Sequence, residues 1–236
     1  DLYCFNARGL FISIERAIID RTGSHTGIYS AEIPEVTDRI HFIANMHKDV
    51  DEMDFVGQSE DQVIATMEGS SGMMTYWARV VKGGNDTMKS ALEGNNPVML
   101  LRDHARITVQ DSEDNPYYQD LAFIVLNTNA FGTVAPYRDG DWAAPSNSDK
   151  FVTLPESDRK DVKVSGQTEV IELKNRQYQY VFETENSSSD PVSVIIRGRR
   201  NGETKYFRVL LIDDEANYVP VMRNFTYKIQ ILGEMT

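Results

Sequence analysis

The sequence predicts an all-β chain of sandwich type, on three observations. Short apolar or alternating runs recur between polar turns at the spacing of sandwich strands. Apolar residues make up 41% and aromatic residues 10% of the 236 positions, enough to fill real cores and too many for a disordered chain. Only one segment carries a helical pattern. A chain of this length suits one large β domain or two ordinary ones.

In chain order, Leu2 to Phe5 is apolar, residues 6–9 (NARG) are a turn, and Leu10 to Ile14 is a second strand, giving a hairpin at the start. Residues 27–33 alternate weakly, and 39–44 (RIHFIA) read as a compact buried strand. At 59–62 (SEDQ), a hydroxyl N-cap is followed three residues on by glutamine, the capping-box arrangement. Val63, Ile64 and Met67 then share one helical face and Gly69 stops it, which predicts one short helix over 59–68. Further strands are expected at 123–126, 170–173, 178–182, 192–196 and 206–212. The last, 225–231, puts Phe225, Tyr227, Ile229 and Ile231 on one face and Thr226, Lys228 and Gln230 on the other, as in an antiparallel sheet with one side in solvent. Residues 137–148 hold Gly140, Pro145 and Asn147 without periodicity, which is linker chemistry. The expected division is therefore a first sandwich over 1–140, carrying the helix, and a second over 141–236.

Two stretches echo each other. VMLLRDHARITVQ (98–110) and VPVMRNFTYKIQIL (219–232) each set two apolar residues before Arg, then Asp or Asn, a ring, and an alternating strand. The expectation is one architectural unit used twice, with Arg102, Asp103, Arg223 and Asn224 as structural residues at the start of a strand. Val221 and Met222 would pack, while Arg223 and Asn224 sit at an exposed rim. Asparagine turns the chain through unusual dihedrals, and arginine fixes the turn on a carboxylate or on loop carbonyls.

The chemistry is sparse. A formal net charge of −12 repels phosphate backbones, so nucleic acid is not an expected partner. The basic cluster Arg197, Arg199, Arg200 and Lys205 brackets Asn201-Gly202 and reads as a solvated hairpin. The single cysteine, Cys4, excludes an internal disulfide and a cysteine-built metal site, and its apolar setting predicts burial. No apolar run reaches the ~18 residues of a membrane helix. The start on Asp1 without Met is consistent with a removed leader. His25, His41, His47 and His104 compose no ligand set, and no G-x-S-x-G or comparable setting supports a hydrolase. Counted from Asp49, an EF-hand loop would use Asp51 and Glu60 at places 3 and 12. Met53 and Asp54 occupy the places of a ligand and of the turn glycine, so the loop reads as solvated. No catalytic, metal or cofactor-binding residue is assigned. Trp77 in TYWARV reads as core, whereas Trp142, in a Gly/Pro-rich loop, is the candidate for stacking on a glycan.

The order of these motifs resembles the fimbrillin-like adhesins of Bacteroidales, surface subunits of donor-strand pili. DLYCFNARGLFI is similar to the family's first visible hairpin, RIHFIAN to its buried strand ending in Ala-Asn, and GQSEDQVI to the helix that follows. LLRDHARITV with FIVLNTNAFGTVAP resembles the end of its N-terminal domain. YQYVFETEN, YFRVLLID and VPVMRNFTYKIQILG resemble the final strands of its second domain. The resemblance implies two tandem transthyretin-like sandwiches, no catalysis, no cofactor, and export to a fimbrium at the cell surface and outer membrane. Its partners would be other fimbrial subunits, through strand exchange, and a host or bacterial surface glycan or protein. A surface glycan-binding sandwich is the alternative. In the family a strand lies upstream of the first hairpin, so an open groove beside Leu2 to Phe5, filled by a neighbour's strand, is the further expectation.

Overall fold

The computed structural model describes residues 1–19, 29–46, 50–69, 73–84, 87–92, 98–112, 114, 116–138, 140–142, 171–172 and 178–234. They are mostly strands and belong to two compact units. The first draws on residues 1–69, 73–102 and 133–147, the second on 103–132 and 148–236. Each unit gathers separated segments, where the sequence reading divides the chain once.

The first unit centres on a five-stranded antiparallel sheet. Its strands are β1 (Leu2–Phe5), β2 (Phe11–Glu15), β3 (Arg39–Ala44), β4 (Tyr76–Val81) and β5 (Leu101–Arg102), in the spatial order β2-β1-β3-β4-β5. The turn between β1 and β2 forms as its sequence demands. Asn6 Oδ1 accepts from the backbone N–H of Arg8 and Leu10, and Gly9 takes φ +73°. Alternate residues of β1 point to opposite faces, and both faces are covered. Tyr3 and Phe5 pack with Phe11, Ile43 and Trp77 in one core, while Leu2 and Cys4 pack with Ile40 and Met88 in another. That is why LYCF is apolar at every position. Burial pushes the Cys4 thiol up to about 11.

The helix α1 spans Glu60–Ile64, with the expected capping box of Ser59 and Gln62. It is shorter than the predicted 59–68, and Gly69 does not terminate it. Ala65 caps the helix, Met67 turns into the core beside Val63 and Ile64, and Glu68–Gly69 is extended. β-branched Val63, Ile64 and Thr66 make this a weak helix to prolong. A second helix, α2 (Met88–Leu92), was not predicted. Its cap is formed by Thr87 and Ser90, each accepting from the other's backbone N–H at 3.1 Å.

The second unit is a sandwich. One sheet contains β7 (Gln119–Leu126), β8 (Ile171–Glu172), β10 (Ser193–Arg200) and β11 (Glu203–Leu210), in the order β8-β7-β10-β11. The other contains β6 (His104–Gln110), β9 (Tyr178–Phe182) and β12 (Thr226–Gln230), in the order β9-β6-β12. Ile107, Val109 and Val181 from the smaller sheet meet Phe123, Val125, Val194 and Ile196 from the larger. The β10–β11 hairpin pairs without interruption through the basic cluster. Asn201 at φ 52° and Gly202 at φ 85° meet the left-handed requirement of a two-residue turn.

Gly132 marks a close approach: a methyl added there would stand 2.4 Å from Phe182 Cδ1. Gly132→Ala is expected to lower the stability of the second unit by about 1–3 kcal/mol in chemical denaturation, because the buried Phe182 has little room to move.

Candidate functional site

For a chain whose reading is mechanical, the candidate sites are the strand starts, the aromatic cluster around Trp142, and the sheet edges. The two echoing motifs come together in one sheet. β6 and β12 run parallel as neighbours, with Thr226 opposite Arg106 and Gln230 opposite Gln110. The echo therefore describes two adjacent strands of a single sandwich, in place of equivalent positions in two.

Asn224 adopts φ 64° and its backbone N–H donates to the His104 carbonyl at 3.0 Å, just before β12. Arg223 departs from expectation. It is 2% exposed, not at an exposed rim, because Glu183 at the end of β9 supplies a matching buried charge. Arg223 Nε and Nη2 donate to Glu183 Oε2 at 2.9 and 2.7 Å, and the Arg223 backbone N–H donates to Oε1 at 3.1 Å. Asp103 is buried and hydrogen-bonded to His104 Nδ1, and the His104 ring lies 4.0 Å from that of Phe182. Arg102 sits in β5 opposite Tyr76. All four predicted residues thus stand in or beside strands.

Trp142, expected as an exposed stacking surface, is only 9% exposed. Trp77 stacks on it at 5.8 Å, and His41 and Tyr137 meet its ring at 4.7 and 4.5 Å. Beneath lies a buried polar network that sequence reasoning did not find. Glu60 Oε1 receives His41 Nε2 at 2.7 Å and Arg79 Nε at 2.5 Å, and Oε2 receives Arg79 Nη2 at 3.1 Å and Arg39 Nη1 at 2.8 Å. Trp77 Nε1 donates to His41 Nδ1 at 2.9 Å. An indole nitrogen only donates, so Nδ1 carries the lone pair and His41 is neutral with its proton on Nε2. Burial, the largest influence, holds the His41 pKa down, in agreement. The only sequence signal for this network was an acidic residue in the first turn of the helix. Glu60 is fully engaged here, and Asp51 caps a short 3-10 helix by accepting from Met53 N–H at 3.0 Å. His25, His47 and Asp49 lie outside the described residues.

The edges decide where a foreign strand could add. β1 is paired along its whole length by β2 on one side and β3 on the other, so the expected open groove beside Leu2–Phe5 is not there. The second unit differs. β8 and β9 each form one edge of their sheet. β11 and β12 form the opposite edges, and Glu234, just past β12, reaches Arg200 at 3.3 Å. Arg106 N–H donates to the Phe225 carbonyl and Ile231 N–H to that of Gln110. Alternate residues from 225 to 231 therefore bond to β6, and Thr226, Lys228 and Gln230 turn their backbone groups to the side on which no described strand pairs with β12. The four apolar side chains left partly buried against this core, Phe207, Val209, Tyr227 and Ile229, all come from β11 and β12.

No protein-family model matches the chain, and no curated protein matches it. Among solved structures it is similar to a candidate cell adhesion protein from Bacteroides thetaiotaomicron, with 14% identity and a TM-score of 0.41 over 98% of this chain and 78% of that one. It is also similar to the tip fimbrial protein Mfa3 from Porphyromonas gingivalis, with a C-terminal truncation, with 14% identity and a TM-score of 0.47 over 99% of this chain and 89% of that one.

No described helix is long and apolar enough to cross a membrane.

Proposed function

We propose that the chain is a non-enzymatic structural or adhesive subunit of a cell-surface fimbria, displayed at the outer membrane, and that it joins other subunits by strand donation along the free edge of β12. The supporting observation is the rim of the second unit. Outward backbone groups at Thr226, Lys228 and Gln230 stand beside the half-covered Phe207, Val209, Tyr227 and Ile229. A donated strand would satisfy the first and cover the second, with alternate side chains entering the gap between the sheets. The alternative is a glycan-binding sandwich with Trp77, Trp142 and exposed tyrosines as its stacking platform, and of these the two tryptophan rings are buried.

Lys228→Pro separates folding from assembly, because it removes an outward N–H and leaves the ladder to β6 intact. In cells that build fimbriae, the variant is expected to fold with a near-normal melting temperature and to be absent from sheared fimbriae. Incorporation at the level of the unaltered chain would contradict donation at this edge.

A further inference from the structure

The outward face of the three-stranded sheet concentrates positive charge in a chain whose net charge is −12. Ala105, Ile107 and Val109 of β6 point into the core, so Arg106, Thr108 and Gln110 point out. The register sets two rows across this face: Tyr178, Thr108 and Lys228 in one, Tyr180, Arg106 and Thr226 in the next. Gln110 and Gln230 extend it. No carboxylate occupies any of these positions.

Arg106 is the central feature. Its guanidinium carbon lies 5.8 Å from the centre of the Tyr178 ring, and its buried Nε has no hydrogen-bond partner among the described residues. The Tyr178 and Tyr180 rings are 5.0 Å apart and tilted by 58°, each partly exposed. Lys228 is exposed one row away. An arginine fork held on an aromatic ring, with a second cation nearby and no carboxylate at the register positions around it, is matched to a carboxylate. The tyrosine rings offer apolar faces to the C–H side of a sugar, and Thr226, Gln110 and Gln230 offer partners for hydroxyls, while Thr108 between Tyr178 and Lys228 is buried.

We propose that this face binds an acidic carbohydrate, a chain of uronate-type sugars whose carboxylates meet Arg106 and Lys228 while a ring lies on Tyr178 and Tyr180. An acidic peptide would satisfy the charges but would not use the paired rings and the hydroxyl partners together. The proposal rests on the adhesive part of the function above, not on strand donation, so an isolated chain tests it.

The experiment is calorimetric titration of the whole chain with an oligogalacturonate, a neutral galactose oligomer of the same length, and a poly-glutamate peptide. Saturable binding of the oligogalacturonate is expected, weakening as salt rises. It should exceed binding of either control by roughly tenfold or more. Lys228→Gln, at an exposed position, and Arg106→Gln should each reduce it by a similar factor with the melting temperature of the Lys228 variant unchanged. Absence of oligogalacturonate binding, equal binding of poly-glutamate, or full binding by the Lys228→Gln chain would overturn the assignment. Whether the same preparation enters fimbriae is a separate readout, so failure here leaves the strand-donation reading to be judged on its own.

Discussion

Replacing Arg223 with alanine is expected to lower the stability of the second unit by about 3–5 kcal/mol, the cost of leaving a buried carboxylate without its cation. Glu183 is 4% exposed and takes three hydrogen bonds from Arg223, two from the guanidinium and one from the backbone. The truncation removes the first two and keeps the third. The double variant Arg223→Met with Glu183→Gln should recover much of the loss, since removing both charges also removes the desolvation penalty. Chemical denaturation of the single and double variants checks this. A loss below about 1 kcal/mol for Arg223→Ala would place the pair among weakly coupled surface bridges.

Glu60→Ala should have the next largest effect, about 2–4 kcal/mol on the first unit. The estimate lies below that for Arg223 because Arg39 and Arg79 are partly exposed and can turn to water. The same network sets a pH dependence. Burial raises the Glu60 pKa, but hydrogen bonds from His41, Arg79 and Arg39 outweigh it and hold the carboxyl well below the usual carboxylate range. Burial lowers that of His41 from 6.5. Both groups therefore have folded values below their unfolded ones. Their contribution is fully present above the unfolded values and is lost on acidification, through His41 from about pH 6.5 downward and through Glu60 from about pH 4.5 downward. Thermal melts followed by the fluorescence of Trp77 and Trp142 should show a plateau above pH 7 and a decline below 6.5 that steepens under 4.5. A rise in stability between pH 7 and 5 would contradict a neutral His41.

Local patterns were legible wherever neighbours in the chain determine the structure. RIHFIA and YQYVF became strands with the expected bounds, Ser59 and Gln62 formed their capping box, and Asn201-Gly202 made its tight turn. Alternation also told which side chains of β12 face the core. It could not tell which strands pair, because alternation fixes a face and not a neighbour. β6 lies between β9 and β12, some 70 and 120 residues further along the chain. The same gap explains the polar sites. Arg223 is buried because Glu183, 40 residues away, meets it, and nothing near Arg223 in the sequence announces that carboxylate. Trp142 lies in a stretch of loop-like composition, yet it pairs with Tyr137 in a short strand, and Trp77 and His41 from two other strands cover it.

Amide hydrogen exchange at Thr226, Lys228 and Gln230 tests the proposed assembly most directly, in the isolated chain and again in intact fimbriae. The account predicts fast exchange at all three in the isolated chain, where their N–H groups face the free side of β12. In the fimbria it predicts strong protection, as a donated strand takes up those bonds. Equal exchange in the two states would contradict strand donation at β12.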